Sequence, residues 1–308
     1  TNVTFGIEPG EAVALVGESG CGKSITALAL LGLLPSGTRL VGGAVRLQGQ
    51  EILGRKGRRQ RRGRARIGYV AQDPMTSLDP CFTVFSHLAE IIRRQRGGNR
   101  AAVRAHAREL LARVQIREVD AVGRRYPHQL SGGLAQRVQI AMALATEPAL
   151  IVADEPTTAL DVTTQAEILD LLRSVRDDTG AGLLLITHDW GVVADTCERA
   201  VVMYAGQVVE QGDTRRLVRE PLHPYTEALL LSNPQQAAPG HRLATIPGSV
   251  PVVGGWEPGC RFSPRCAHAR DECRGAPVEL RDLEGGRVTR CLFAEELRVP
   301  DPVGSERP

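Results

Sequence analysis

Aromatic residues are scarce: Phe, Trp and Tyr make up 4% of the 308 residues. Stacking surfaces for nucleic-acid bases are therefore few. The net charge of +3 at pH 7 is too near neutral to argue for a polyanionic partner. Long apolar runs are absent. The longest, such as 12–17 and 182–186, are strand-sized, far short of the roughly 20 residues that span a bilayer. No secretory leader is visible. These absences predict a soluble chain whose membrane role would come through a partner. The chain starts at Thr1 without Met and ends in a Pro-rich stretch, 299–308, and both ends predict a piece of a longer polypeptide. A hydrophobic content of 42% supports an ordinary packed core.

Against that background one octapeptide stands out. GESGCGKS, residues 17–24, has the form G-x-x-x-x-G-K-S. It follows an apolar run at 12–16 and opens a helical pattern over 24–34 that Pro35 closes. Strand, glycine-rich loop and helix present backbone N–H groups and a helix N-terminus to a phosphate. The candidate nucleotide-binding residues here are Gly17, Glu18, Ser19, Gly20, Cys21, Gly22, Lys23, Ser24 and Ile25. Lys23 would reach the β- and γ-phosphates and Ser24 would ligate Mg²⁺. The apolar strand 150–153 leads into Asp154 and Glu155. Asp154 can hold Mg²⁺ through its water shell, and Glu155 can polarise an attacking water. His188 follows the strand 182–187, at the edge where open α/β sheets bind ligands. There it could bond a γ-phosphate oxygen. Gln72 ends the strand 67–70 and could contact Mg²⁺ or the lytic water. The implied cofactors are ATP and Mg²⁺.

Helical spacing continues at 84–95, 100–114, 131–146 and 162–176, with Asn99 a candidate cap. Further strands are expected at 44–47 and, around Gly206, between 199 and 210. Strand–helix alternation argues for a parallel sheet with helices on its faces. The run GRKGRRQRRGRAR, 54–66, reads as a solvated basic loop or as a patch facing anionic lipid headgroups. Composition shifts to Pro, Gly and Cys beyond 233. The expected division is a nucleotide-binding region at 1–232, with a helical insertion at about 80–146, and an extension at 233–308.

LSGG, 130–133, narrows the kind of machine. Taken in order, GESGCGKS, Gln72, LSGGLAQR (130–137), LIVADE (150–155), ALD (159–161) and His188 resemble the Walker A loop, Q-loop, signature, Walker B, D-loop and switch histidine of ABC-type ATPases. The resemblance covers about residues 3–212. It implies an α/β P-loop ATPase fold with a mixed sheet core and a helical signature subdomain. It implies ATP hydrolysis with Glu155, His188 and Gln72 in catalytic positions, and Ser24, Gln72 and Asp154 around Mg²⁺. It also implies a second cassette, whether a homologous subunit or a fused tandem half. In such pairs Ser131, Gly132 and Gly133, with Gln136 and Asp161, complete the site that holds Lys23 of the other cassette. Closure on ATP and reopening after hydrolysis would be the power stroke. The family places an adenine-stacking aromatic upstream of the first strand. Phe5 is the only aromatic near that point, and the chain starts too late to show the segment.

DPMTSLDP (73–80), YPHQLSGG (126–133) and EPLHPYTEALLLSNP (220–234) resemble segments of the ATPase subunits of bacterial dipeptide and oligopeptide importers. Nickel importers share much of this pattern. The resemblance implies two transmembrane permease subunits, contacted through residues 75–82. It further implies an extracytoplasmic substrate-binding protein, a peripheral place on the cytoplasmic face of the inner membrane, and no nucleic acid. The rival readings are a non-transport ABC ATPase acting on ribosomes or DNA, and a module that holds ATP without turnover. Intact Glu155 and His188 oppose the latter.

Seven cysteines remain. Cys21, Cys81 and Cys197 are scattered, whereas Cys260, Cys266, Cys273 and Cys291 follow the spacing C-x5-C-x6-C-x17-C. Disulfides are disfavoured in a cytosolic chain, zinc usually takes shorter knuckles, and a [4Fe–4S] cluster takes four thiolates at wider spacing. The tail resembles the cysteine-bearing extension of peptide-importer ATPases, which implies an iron–sulfur cluster. Zn²⁺ and free thiols are the alternatives. Arg261, Arg265 and Arg270 are expected to offset the cluster's charge, and Cys21 to be an oxidation-sensitive point.

Overall fold

The computed structural model describes residues 3–53, 66–233 and 245–297, apart from 253, 257 and 284. The basic run at 54–66, Arg66 excepted, and the Pro-rich end at 299–308 lie outside the described residues. The chain forms two compact units: residues 1–6, 12–26 and 186–308 make the first, and residues 7–11 and 27–185 the second.

In the first unit, β1 (Ala12–Val16) is buried along its whole length. Five apolar residues without alternation suit a strand covered on both faces. It pairs in parallel with β7 (Arg199–Tyr204), Val13 opposite Arg199 and Val16 opposite Val202. A tight turn through Ala205 and Gly206, both at positive φ, folds β7 back onto β8 (Gln207–Asp213) as an antiparallel hairpin. The tail then adds two strands. β10 (Arg287–Thr289) lies antiparallel to β8, and β9 (Arg281–Leu283) antiparallel to β10. The sheet of this unit is thus mixed. The buried Glu210 on β8 and Arg287 on β10 form an ion pair at 3.1 Å across that junction.

Three short helices follow the same logic of side-chain capping. Asp189 accepts from the Gly191 amide at the start of α8 (Trp190–Thr196), and Asp213 from Arg216 at α9 (Thr214–Arg219). His223 caps α10 (Pro224–Leu231) through Nδ1, which accepts from the Tyr225 amide at 3.1 Å. Burial, with the Arg290 charge second, pushes the His223 pKa down to about 3, so the ring stays neutral and keeps its acceptor. A single-turn helix, α11 (Glu272–Gly275), lies in the tail.

In the second unit, β4 (Ile67–Val70) and β5 (Leu150–Asp154) pair in parallel, and β6 (Gly182–Ile186) follows β5. A small antiparallel hairpin, β2 (Val45–Leu47) with β3 (Gln50–Leu53), stands apart as its own sheet. The helical region comprises α3 (Val84–Arg96), α4 (Arg100–Arg113), α5 (Val119–Gly123) and α6 (Gly132–Leu144). Thr83 and Asn99 cap α3 and α4 through side-chain oxygens. Val84, Phe85, Leu88 and Ile92 form the buried stripe of α3, and Val103, Ala107, Leu110 and Leu111 that of α4. This is the three-to-four-residue recurrence of a helix with one covered face, and burial of each large side chain is worth roughly 1.5–3 kcal/mol. Two further helices, α2 (Pro74–Ser77) and α7 (Val162–Thr179), complete the unit. The helix α1 (Lys23–Leu31) starts in the glycine loop and stops at Gly32, which has φ +68°, short of the expected residue 34.

Gly123 at the end of α5 is required by close approach. A Cβ there would stand 2.0 Å from the Phe85 ring, which is buried and capped on one face by Arg104 at 3.7 Å. Gly123→Ala is expected to cost about 1–3 kcal/mol through displacement of Phe85, measured as a lower urea midpoint at unchanged slope. Among the described residues no helix is long and apolar enough to cross a membrane.

Candidate nucleotide site

The phosphate loop joins β1 to α1 in the first unit. Gly17 admits no side chain, because a Cβ would lie 2.3 Å from the Met203 carbonyl oxygen on β7. The loop is thereby pressed against the neighbouring strand. Gly206 reinforces this by donating its N–H to the Cys21 carbonyl at 2.8 Å. Lys23 is buried, with Nζ donating to the carbonyls of Gly17 (2.7 Å) and Glu18 (3.1 Å). The ammonium therefore rests on the loop's own backbone. Ser19, Gly20, Ser24 and Ile25 are exposed at the loop and the first turn of α1. Cys21 is fully buried and burial pushes its thiol pKa up, against the Lys23 charge. That corrects the expectation of an oxidation-sensitive point, since reactive cysteines are exposed and of low pKa. His188 is exposed between β6 and α8, and belongs to this unit.

Glu18 is held from a distance. Its carboxylate accepts two bonds from Arg265 of the tail, at 2.8 and 3.0 Å. Its backbone N–H donates to the Tyr225 hydroxyl at 2.8 Å. Tyr225 lies in the HPYT segment, and each of the first three residues of that segment has a defined role. His223 caps the helix, Pro224 opens it, and Tyr225 reaches the phosphate loop. Sequence reasoning flagged HPYT only as a marker of a subfamily and missed this contact.

Gln72, Asp154, Glu155 and the signature lie in the second unit. Asp154 closes β5 and is buried, with the Tyr69 hydroxyl 3.5 Å from its Oδ2. Burial, then the Asp154 charge, pushes the Tyr69 phenol up to about 12. Glu155 follows at φ +46°, the left-handed region, which for a non-glycine residue is a strained position typical of functional turns. Its Oε2 accepts from Gln72 Nε2 at 3.2 Å and from Thr158 Oγ1 at 3.1 Å. The parallel strands β4 and β5 thus place Gln72 beside Glu155, which directly follows Asp154. Thr158 was not foreseen, and no sequence signal marks it.

Ser131 caps α6, accepting from the Leu134 amide at 3.4 Å. Asp161 caps α7 through the Thr164 amide (3.0 Å) and hydroxyl (2.7 Å), and these bonds hold its carboxyl below the usual range. A Cβ on Gly133 would lie 2.8 Å from the Thr164 methyl, and one on Gly132 3.3 Å from Leu160. The signature glycines therefore pack closely on the segment that carries Asp161. Gln136 on α6 is buried at 1% exposure, and among the described residues its Nε2 has no hydrogen-bond partner.

None of the seven cysteines forms a disulfide. Cys260, Cys266, Cys273 and Cys291 line one cavity, together with His223, Phe262 and Arg290. Burial pushes the Cys260, Cys266 and Cys291 thiols up, Cys291 to about 11. Among the described residues no three His, Cys, Asp or Glu side chains are gathered as a metal-holding group. The arginines expected around the thiols turn elsewhere. Arg265 grips Glu18, Arg261 lies 3.5 Å over the Trp256 ring, and Arg270 lies 3.9 Å over the Phe293 ring and 2.8 Å from Glu296. The guanidinium that lines the thiol cavity is that of Arg290, which the sequence did not single out.

Residues 1–158 match the ABC transporter family, and residues 209–273 the oligopeptide/dipeptide transporter C-terminal region. The chain is 50% identical over 297 residues to the oligopeptide transport ATP-binding protein OppD of Mycobacterium tuberculosis, covering 95% of this chain and 48% of that protein. It thus spans about half the length of that relative. It is 44% identical to the dipeptide transport ATP-binding protein DppD of Escherichia coli, covering 94% of this chain and 89% of that protein. Among solved structures, the dimeric ATP-binding cassette MJ0796 in a post-hydrolysis state with ADP and Pi is 31% identical with a TM-score of 0.58, covering 70% of this chain and 90% of that one. With the phosphate loop on β1, the paired carboxylates after β5 and the Ser131-capped signature helix, these likenesses settle the family: the chain belongs to the ABC transporter family, with its α/β ATP-binding cassette fold, and carries the oligopeptide/dipeptide transporter C-terminal region.

Proposed function

We propose that the chain is the ATP-hydrolysing subunit of a membrane importer for dipeptides or oligopeptides. The observation that carries this reading is Glu155, strained at the end of β5 and held by Gln72 and Thr158 beside the buried Asp154. A carboxylate so placed can take a proton from water attacking the γ-phosphate. Asp154, Gln72 and the Ser24 hydroxyl would surround Mg²⁺. Lys23 would leave the Gly17 and Glu18 carbonyls for the β- and γ-phosphates, and His188 would bond the γ-phosphate. Gly17, Ser19, Gly20, Cys21, Gly22 and Ile25 would line the nucleotide through the loop backbone and the first turn of α1. Ser131, Gly132, Gly133, Gln136 and Asp161 would complete the site of a second cassette. Peptide cargo is supported by the C-terminal region and by the relatives' names.

The expected assembly is two cassettes on two permease subunits, supplied by an extracytoplasmic binding protein, at the cytoplasmic face of the membrane. In it, 1–232 would act as the cassette and 233–308 as its extension. Detergent extracts are expected to yield this chain together with membrane subunits, and recovery on ribosomes or DNA instead would overturn the transport reading. Lys23→Ala is expected to weaken MgATP binding at least tenfold, read by equilibrium dialysis.

For the tail, the shared cavity of Cys260, Cys266, Cys273 and Cys291 supports a [4Fe–4S] cluster of structural role, with Zn²⁺ the alternative. Absorbance at about 400 nm with stoichiometric iron is the expected result. Zinc without iron would overturn it.

A further inference from the structure

Glu18 occupies an unusual electrostatic position. It sits in a loop built to receive a polyanion, and it brings a negative charge of its own. All three of its polar groups are engaged. Arg265 grips the carboxylate with both arms of its guanidinium, Tyr225 accepts from the amide, and Lys23 donates to the carbonyl. The first two partners stand 247 and 207 positions away in sequence. Arg265 is itself fixed. Its side chain is 6% exposed, its Nε donates to the Pro247 carbonyl at 2.7 Å and an Nη to the Tyr204 hydroxyl at 3.3 Å. Fork-to-carboxylate pairs of this kind set geometry as well as charge.

The support beneath is rigid. Tyr204, Tyr225 and Phe262 are buried and form a three-ring cluster with centroids 4.6–5.2 Å apart. Phe262 directly precedes the short turn Ser263–Arg265 that presents the guanidinium, and Cys266 follows it. The cysteine-bearing tail and the phosphate loop therefore share one packed layer. Without Arg265, the Glu18 carboxylate would be uncompensated in the loop. It would then repel incoming phosphates and compete with them for the Lys23 ammonium.

We propose that Arg265, supported by Tyr225, is a positioning residue for nucleotide: it neutralises Glu18 and holds it off Lys23 and the phosphates, which makes ATP affinity depend on the docked tail. This inference rests on the reading of residues 17–24 as the ATP loop.

The test is MgATP affinity, by calorimetric titration of the full chain, for R265M, R265K, E18Q and the double variant E18Q/R265M. R265M is expected to bind about tenfold more weakly and R265K to fall between it and the unaltered chain. E18Q/R265M is expected to return to within about twofold of E18Q, because removing the carboxylate removes the charge that Arg265 compensates. A merely structural role for Arg265 would not be rescued in this way. R270M, on the exposed pair with Glu296, is expected to leave affinity unchanged. If R265M does not fold, R265K and the double variant carry the comparison, since neither leaves a buried charge unpaired. Failure of the unaltered chain to bind MgATP overturns the loop reading and the inference with it. Normal binding by R265M or R265K, or a double variant as weak as R265M, overturns the inference alone.

Discussion

Replacing Glu155 by Gln is expected to lower ATP turnover by about 10²–10⁴-fold, the range over which a positioned base contributes, while leaving MgATP bound. The change keeps the shape, so the bonds from Gln72 and Thr158 to the Oε2 position retain an acceptor. It removes only the capacity to accept a proton. Phosphate release in the steady state measures turnover, and retention of ATP after rapid gel filtration measures binding. The pair of readings separates chemistry from affinity: a fall in both would point to damage in the strained turn at φ +46° rather than to loss of the base. Turnover surviving at more than a tenth of the original rate would remove Glu155 from the role of base and leave His188 as the next candidate.

The second large effect concerns stability. Arg287→Met is expected to destabilise the chain by about 3–5 kcal/mol, the cost of stranding one member of a buried ion pair. At roughly 2–4 °C per kcal/mol for a chain approaching this size, the thermal midpoint should fall by on the order of 10 °C. Glu210 is fully buried and accepts from the Leu222 and His223 amides, both at 2.9 Å, and from Arg287 at 3.1 Å. Burial pushes its carboxyl up, against the hydrogen bonds it accepts and the Arg287 charge. Three donors converge on its oxygens, a pattern that suits the ionised form. Without the guanidinium the carboxyl would take up a proton or remain charged among apolar neighbours, and both routes cost stability. The double variant Glu210→Gln/Arg287→Met should recover part of the loss, because the uncompensated charge is gone. Arg94→Met, on the exposed i,i+4 pair with Glu90, should lie within about 0.5 kcal/mol of the parent. Equal losses in the buried and exposed variants would show that the β8–β10 junction does not depend on this pair.

The same junction shows why parts of the molecule were hidden in the linear chain. Strand β10 is three residues long and β9 is three, too short for period-two alternation to register. What makes them strands is the pairing of β10 with β8 more than 70 residues earlier, and of β9 with β10 in turn, which local propensity does not encode. The helices α2, α5 and α8 to α11 have four to eight residues and escaped notice for the same reason. By contrast α3 and α4, with 13 and 14 residues and a repeating buried stripe, were readable to within a residue or two, Asn99 cap included. The arginines of the tail were visible as charges but not as contacts. Proximity in sequence to Cys266 suggested that Arg265 serves the thiols, whereas its side chain crosses to Glu18.

The sequence by itself determined the nucleotide loop, the carboxylates after β5 and the signature turn. Backbone N–H groups can cradle a phosphate only on a tight glycine-rich turn between a strand and a helix, so the chemistry leaves a contiguous trace. Only the tertiary structure decided that the cysteine-bearing tail is an extension of the β1–β7–β8 sheet, and that its Arg265 answers Glu18 across 247 positions. Such contacts depend on which strands pair and which rings pack beneath them. Those are properties of the folded layer, and they leave no periodic or contiguous mark along the chain.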